Sequence, residues 1–323
     1  MPSKRRNLLG AAGQAGGLDV SEVFSIDTWT GTGATQTITN GIDLAGEGGI
    51  VIIKEDAKTN WHIFDTVSGV NKYWHFDTND DLLSDANTVT SFNSDGFTLG
   101  SDPDVNQSGQ TFHAYTFRQA PNFFEITAIS HTNGADSTHT FSTLTTASMI
   151  MCKRIGSAAG SNNGQVLSSE FASDALSVNL TALDTASDAN EFERNGTDGV
   201  RILSGMNTAD YIAYCWDTAL DIVSIGTYTG DGTSNKSVSV GFQPQYVMTK
   251  SYTNSSEEWY QFEDVNLSVP TGSGDDMLRW NRDNQISSGN DLIDFDSDGF
   301  NVTGIVTTNN NSTDYLYMAI KAE

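Results

Sequence analysis

The stretch of sequence that most resembles a metal site lies near the C-terminus. Asp294, Asp296 and Asp298 alternate along the chain and Gly299 follows, as at the start of an EF-hand calcium loop. Such a loop needs a bidentate glutamate at its twelfth position, where this chain has Ile305. The same Asp-Gly pair recurs twice elsewhere without the preceding acids. We therefore interpret it as a turn between strands, and calcium at the three aspartates is the weaker hypothesis.

The sequence contains no recognisable catalytic motif. There is no HExxH or HxH set, no Gly-x-Ser-x-Gly elbow, no Walker loop, and no GxGxxG pattern before a helix. Where segments of the chain resemble one another, their histidines do not match. The five histidines are His62, His75, His113, His131 and His139. We expect a protein that is not an enzyme and that uses no cofactor.

Tryptophans beside polar residues suggest a third kind of site, a face that stacks on sugars. The segments that begin at Trp61 and Trp259 align with each other, 198 residues apart. Recurrence at matching positions favours buried anchors over ligand contacts. Glycan contact is the alternative for four tryptophans: Trp61, Trp74, Trp259 and Trp280.

The charge balance narrows the classes of partner. The 323 residues include 16 basic and 41 acidic side chains, a net charge of −25. A chain this acidic repels phosphate backbones, so we expect no nucleic-acid partner. No apolar run reaches the roughly 18–20 residues that span a bilayer, so we expect no membrane insertion. The two cysteines, Cys152 and Cys215, do not form a disulfide framework and fit core positions.

A cluster of basic side chains lies at the N-terminus, in contrast to the acidic remainder of the chain. Residues 1–23 carry three basic and two acidic groups, net +1, which leaves 13 basic and 39 acidic groups, net −26, for the rest. The segment is rich in Gly and Ala and too short for a core of its own, and its interrupted apolar stretch does not make a signal peptide. We expect a short extended arm that docks into a partner. The docking residues would be Lys4, Arg5, Arg6, Asn7, Leu8 and Leu9.

Four landmarks recur three times in the same order, at intervals close to 100 residues. Self-similarity at a fixed period is the signature of a repeat architecture. The landmarks are an aromatic residue before an opening turn (Trp29, His131, Tyr228), a lysine that ends an apolar run (Lys54, Lys153, Lys250), a turn glycine (Gly96, Gly199, Gly299) and the first residue of a closing aromatic strand (Phe112, Tyr211, Tyr315). The chain is therefore divided into units 24–120, 121–219 and 220–323.

Within each unit the apolar residues alternate with polar ones or form short runs, and Asn-Gly or Asp-Gly turns separate them. This pattern predicts an all-β chain: three tandem β-sandwich or jelly-roll-like repeats of about 100 residues, preceded by the extended arm. The joins near 121 and 220 are too apolar for flexible linkers, so we expect the units to pack on one another. Three copies also allow a pseudo-threefold arrangement that would cap a threefold or sixfold partner.

Several motifs of the first unit form a recognisable set. They are KRRNLLGA at 4–11, TNGIDLAGEGG at 39–49, FDTV with a following glycine at 64–69, SFNSDGFTLG at 91–100 and TFRQAP at 116–121. With these motifs the unit resembles a family of uncharacterised β-rich structural proteins of tailed, mostly marine, bacteriophages. The resemblance covers about residues 4–121 and weakens in the second and third units.

The resemblance implies a non-enzymatic virion protein, assembled in the host cytoplasm. We expect it to be associated with the tail or its fibres, docked to other virion proteins by the N-terminal arm, with its β-sandwich units exposed for contact with a host surface glycan or receptor. We also expect a homo-oligomer in the particle. A capsid (head) decoration protein is one alternative. A carbohydrate-binding module is the alternative from another class.

Overall fold

We analysed a computed structural model that describes residues 17–57, 60–76, 78–156, 164–174, 176–179, 187–188, 191–254, 258–267, 269, 274–282, 286–303 and 307–323. Within these residues the chain forms 27 strands and two four-residue helices. The predicted all-β fold class is confirmed. Every pairing between the strands is antiparallel.

The strands fall into three sets of nine, one set inside each predicted unit. The helix α1 (Val20–Val23) lies in the segment predicted as an extended arm, so the prediction of an extended backbone is wrong for these four residues. Unit 1 contains β1 (Phe24–Thr30), β2 (Gln36–Thr39), β3 (Gly49–Glu55), β4 (His62–Asp65), β5 (Lys72–His75), β6 (Leu83–Ser84), β7 (Val89–Asn93), β8 (Gly96–Leu99), α2 (Pro103–Asn106) and β9 (Thr111–Arg118). Unit 2 contains β10 (Phe124–His131), β11 (Ser137–Thr140), β12 (Met149–Arg154), β13 (Gln165–Ser168), β14 (Leu176–Asn179), β15 (Ser187–Asp188), β16 (Phe192–Arg194), β17 (Gly199–Ile202) and β18 (Ala209–Trp216). Unit 3 contains β19 (Val223–Thr229), β20 (Lys236–Ser239), β21 (Pro244–Ser251), β22 (Trp259–Glu263), β23 (Asp275–Arg279), β24 (Ser287–Asn290), β25 (Ile293–Phe295), β26 (Gly299–Val302) and β27 (Asp314–Lys321).

Each unit has the same sheet topology. A six-stranded sheet has the order β1-β9-β3-β4-β5-β6 in unit 1, β10-β18-β12-β13-β14-β15 in unit 2 and β19-β27-β21-β22-β23-β24 in unit 3. A three-stranded sheet has the order β2-β8-β7, β11-β17-β16 and β20-β26-β25 in the same three units. The correspondence of strands lets any position in one unit be matched to the other two by its register.

The register of the three-stranded sheets explains why the landmark turn residues are glycines. A side chain on Gly96 would place its Cβ 2.1 Å from the carbonyl oxygen of Ile38, and one on Gly299 would lie equally close to that of Val238. A Cβ cannot approach a carbonyl so closely, so only glycine allows the two strands to pair there. The recurring Asp-Gly turn is therefore a requirement of strand pairing.

Apolar side chains form two kinds of core. Inside each unit, one face of the six-stranded sheet packs on the three-stranded sheet, as where Val51 and Phe64 meet Phe97. Comparable clusters lie inside units 2 and 3. The opposite faces of all three six-stranded sheets meet in one further cluster, which we term the shared core. It includes Ile52 and Met151, and Met248 completes the set at the equivalent position of unit 3.

Ring contacts show that all three pairs of units touch. Phe117 meets Trp216 between units 1 and 2, with ring centroids 5.6 Å apart. Phe171 and Tyr252 join units 2 and 3 at 5.1 Å. The expectation that the units pack on one another is confirmed, and an arrangement of separate beads is excluded for the described residues.

Units 1 and 3 meet through two residues that occupy the same place in their units. Phe76 directly follows β5 and Trp280 directly follows β23, and their rings stack with centroids 4.4 Å apart and planes 11° apart. Equivalent residues can touch only close to the axis that relates their units. The closed set of three junctions around this point is a pseudo-threefold arrangement.

The shared core predicts that the chain unfolds as one body. Because each unit supplies part of the same core, removal of unit 3 would expose Trp61, Phe76 and Tyr115 to water. We expect a single calorimetric transition for the full chain, with equal calorimetric and van't Hoff enthalpies. A fragment of residues 1–219 should aggregate or show no cooperative transition. Three separate transitions, or a fragment as stable as the full chain, would contradict the prediction.

Candidate functional site at the unit junctions

The three landmark lysines occupy equivalent positions on the face of the six-stranded sheets that forms the shared core. Lys54, Lys153 and Lys250 pair across the sheet with His113, Ile212 and Leu316 of the closing strands. All three lysines are completely buried. A buried ammonium group is costly unless it is paired or hydrogen-bonded. Their recurrence therefore points to a role in holding the units together.

Lys153 shows how such a lysine is accommodated. Its Nζ donates to the carbonyl oxygens of His75 (3.4 Å) and Thr78 (3.0 Å), both in unit 1. The same ammonium group lies 5.0 Å from the ring centroid of Trp74, also in unit 1. Main-chain dipoles and an aromatic face thus replace water around the charge. Lys153 is a cross-unit latch from unit 2 to unit 1.

A buried hydrogen-bond chain crosses the same junction. The Trp74 Nε1 donates to the Tyr214 hydroxyl at 2.8 Å, and that hydroxyl donates to the Asp65 carboxylate at 3.0 Å. Asp65 also accepts the backbone N–H of Ser68. Burial raises the pKa of Asp65 and holds the pKa of Tyr214 well above its ordinary value. Each polar atom of this chain has a partner, as a buried network requires.

The junction between units 3 and 1 brings together a hydroxyl, an imidazole and a carboxylate. The Thr28 hydroxyl lies 3.2 Å from Nδ1 of His113, and Nε2 of His113 lies 2.5 Å from the Asp56 carboxylate. The main-chain carbonyl of Asp56 accepts the N–H of Ile286 from unit 3. A hydroxyl beside a carboxylate-held imidazole is the arrangement that activates nucleophiles. Here it also ties β1, β9 and the loop after β3 to unit 3.

Two histidines form a buried pair on the other face of the unit 1 sheet. His62 and His75 are cross-strand partners whose ring centroids are 4.6 Å apart, edge to face. His62 hydrogen-bonds through Nδ1 to the carbonyl of Asn60, and His75 through Nδ1 to the Asp80 carboxylate. Burial lowers the pKa of His62 to about 3, helped by the neighbouring His75 and Lys54. Burial also lowers the pKa of His75, so both rings are neutral at pH 7.

The cross-unit latch gives a stability prediction. Lys153→Met would keep the apolar stem but leave the carbonyls of His75 and Thr78 without their donor. We expect a loss of about 1–3 kcal/mol in the free energy of unfolding, measured in urea. The control is Lys72→Met, at an exposed position of β5, which should change stability by less than about 0.5 kcal/mol. Equal effects of the two substitutions would refute a latch.

The histidine pair gives a prediction of pH dependence. The pKa of His62 is about 3 in the folded chain and about 6.5 when unfolded, so only the unfolded chain takes up its proton between these values. The stability that neutral His62 provides is complete above pH 6.5 and is lost as the pH falls towards 3. We expect His62→Phe to flatten this decline in urea unfolding between pH 7 and 4. The control, Ser237→Phe, adds a ring at an exposed position of β20 without removing a titrating side chain, and it should leave the slope unchanged. An unaltered slope in His62→Phe would disprove the assignment.

The proposed docking residues Lys4, Arg5, Arg6, Asn7, Leu8 and Leu9 lie outside the described residues. The four tryptophans considered for glycan contact are described and are all buried, at most 1% exposed: Trp61, Trp74, Trp259 and Trp280. None of them offers a ring face to a sugar. Glycan contact at these positions is therefore wrong, because the shared core covers every ring. The alternative that the sequence favoured, buried anchors, describes them.

The three aspartates considered for calcium do not converge. The Asp296 carboxylate accepts the N–H groups of Asp298 and Gly299 and the side-chain amide of Asn301, which closes the turn before β26. The Asp298 carboxylate accepts the Ser239 hydroxyl. In the described part of the chain, no group of three or more His, Cys, Asp or Glu side chains is arranged to hold a metal ion. Asp296 and Asp298 therefore act in turn formation.

Comparison with known proteins identifies a family, but its description names no function. The model of a family described as a domain of unknown function, DUF7483, matches residues 19–323. The chain belongs to this family. No curated protein matches the chain. Among the described residues, no helix is both long enough and apolar enough to span a bilayer.

Proposed function

We propose that this DUF7483 protein is a non-enzymatic structural component of a bacteriophage virion, associated with the tail or its fibres. The N-terminal arm docks it to other virion proteins, and the three-unit body faces outward for host contact. The proposal is supported by the phage-like motifs of residues 4–121 and by the buried position of α1, which joins the arm to the body. It concerns the part played by the body as a whole, so it does not depend on a catalytic centre.

The observation that carries the proposal is the buried position of α1, at the C-terminal end of the predicted arm. Val20 is 4% and Val23 0% exposed, and both belong to the shared core. The helix is capped by the Asp19 side chain, and the Arg118 Nε donates to the carbonyl of Glu22 at 2.7 Å. A load applied to the arm is therefore carried into the core of all three units. Such continuity suits an anchored, load-bearing part.

The charge distribution agrees with this orientation. The body carries net −26 and the arm net +1. Charges of one sign spread over a surface keep that surface solvated and discourage association. The basic end is then the part suited to insertion into an acidic or polar partner.

The experiment is a particle-incorporation assay in the phage that encodes this chain. Purified particles are tested by mass spectrometry for the protein, then for chains that lack residues 1–16 or carry Lys4→Ala, Arg5→Ala and Arg6→Ala together. We expect wild type in particles, and at least a tenfold loss of both altered chains at unchanged melting temperature. A variant with the order of residues 1–16 shuffled controls for composition. Absence of the wild-type protein from particles would overturn the proposal.

Capsid decoration is the second candidate, favoured by one observation. A body with three equivalent units around an axis matches the symmetry of a threefold position on a capsid shell. A reconstruction of the particle separates the two candidates by where density for the body lies. Blocking of phage adsorption by the isolated protein would favour the tail.

A further inference from the structure

A groove of about 300 Å³ lies at the junction of units 1 and 2. Val67 and Ser68 of unit 1 face Ile155 of unit 2 across it, and Lys72 and Asp210 stand on opposite rims. Val67 is 43% exposed, and only two other large apolar side chains of the described residues, Val70 and Val265, are comparably exposed. The groove therefore combines an apolar wall with one charge of each sign.

The pseudo-threefold arrangement identifies the matching place between units 2 and 3. Asp65 pairs with Ile50 and Ser168 with Met149, at equivalent points of the first and second units. Counting three residues onward from Asp65 and from Ser168 makes Ser68 the counterpart of Phe171.

The opposite walls match in the same way. The N–H of Ile155 donates to the carbonyl of Asp210, and the N–H of Tyr252 donates to that of Asp314. Asp210 and Asp314 each lie two residues before the partner of a landmark lysine, since Lys153 pairs with Ile212 and Lys250 with Leu316. Ile155 of unit 2 is therefore the counterpart of Tyr252 of unit 3.

At the junction of units 2 and 3 this place is filled. Phe171 is only 7% exposed and packs on Tyr252, with ring centroids 5.1 Å apart and planes 53° apart. In the junction of units 1 and 2 the counterparts are Ser68 and Ile155, which leave the groove open. The chain itself thus shows which kind of side chain fits this place, an aromatic ring.

The groove also runs beside the outer edge of β10, where no strand of the described residues pairs with Ala128 or Ser130 on that side. β10 is the outer strand of its six-stranded sheet, and Ala128 and Ser130 of β10 line the groove. The N–H of Ile126 points away from the sheet, because it donates to the side chain of Gln119 at 2.9 Å. Alternation along a strand turns the N–H groups of Ala128 and Ser130 in the same direction. Such an edge can pair with an added extended peptide.

We propose that this groove binds an extended peptide segment of a partner protein through one aromatic side chain. The ring enters between Ser68 and Ile155, as Phe171 enters its own junction. The peptide main chain pairs with the outer edge of β10. Lys72 and Asp210 flank the ring and favour oppositely charged neighbours on the peptide.

The test uses two blocked five-residue peptides of threonine, one with a central phenylalanine and one with a central alanine. Binding to the full chain is measured by isothermal titration calorimetry. We expect the phenylalanine peptide to bind at least tenfold more tightly than the alanine peptide. Equal binding of the two peptides, or no binding of the phenylalanine peptide at millimolar concentration, would overturn the proposal.

Two variants locate the binding. Ser68→Phe should fill the groove as Phe171 fills its counterpart, raise the melting temperature and abolish binding of the phenylalanine peptide. The control, Ser237→Phe, changes an exposed serine of β20 and should leave binding within twofold of wild type. If Ser68→Phe fails to fold, Ile155→Ser serves instead, and a loss of at least tenfold is expected. Unchanged binding in a folded groove variant would place the peptide elsewhere and reject the site.

Discussion

The fold depends on apolar surface that each unit carries on both faces of its large sheet. β3, β12 and β21 are buried at every residue. A three-stranded sheet can cover only one face, so the other must find cover on neighbouring units. Three sheets that meet at one centre satisfy this requirement together. The hydrophobic effect that stabilises each sandwich therefore also dictates the association of the three.

The polar groups inside the junctions differ from one junction to the next. Between units 1 and 2, the charge of Lys153 is taken up by main-chain carbonyls and the ring of Trp74. Between units 3 and 1, the Trp61 Nε1 donates to the carbonyl of Arg279 at 2.7 Å. Between units 2 and 3, the ring of Phe171 packs on the ring of Tyr252. A common topology is thus combined with three different local solutions for the same kind of contact.

Much of the fold could be predicted from the sequence, because its landmarks are requirements of backbone geometry. The turn glycines recur since a Cβ would collide with a paired carbonyl, and the landmark lysines recur at one register position of the large sheets. The shared core was harder to predict from the sequence. Alternation marks two faces of a strand but does not say what covers each one. The unbroken apolar run Ile50–Ile53 was the available signal, since burial of both faces produces such runs.

The junction sites could not be predicted in this way. Thr28 is 85 residues from His113, and Asp56 is 57 residues from it, so only the pairing of β1 and β3 with β9 brings them together. The tryptophans were ambiguous for a related reason. A polar neighbour in sequence lies on the opposite face of a strand, so it says nothing about what surrounds the ring. Trp61 and Trp74 have polar neighbours and are nevertheless enclosed by other rings.

The joins between the units have a consequence for assembly. Phe123 and Ile222, which lie at these joins, are themselves part of the shared core, so the three sandwiches are tethered at very short range. Three separate chains with this architecture would come apart on dilution, whereas a single chain keeps its parts at a high effective concentration at any dilution. In a single chain, the sequence of each unit can also change without the same change in the other two. One encoded molecule can then offer three unlike junctions to its surroundings, which a true homotrimer cannot do.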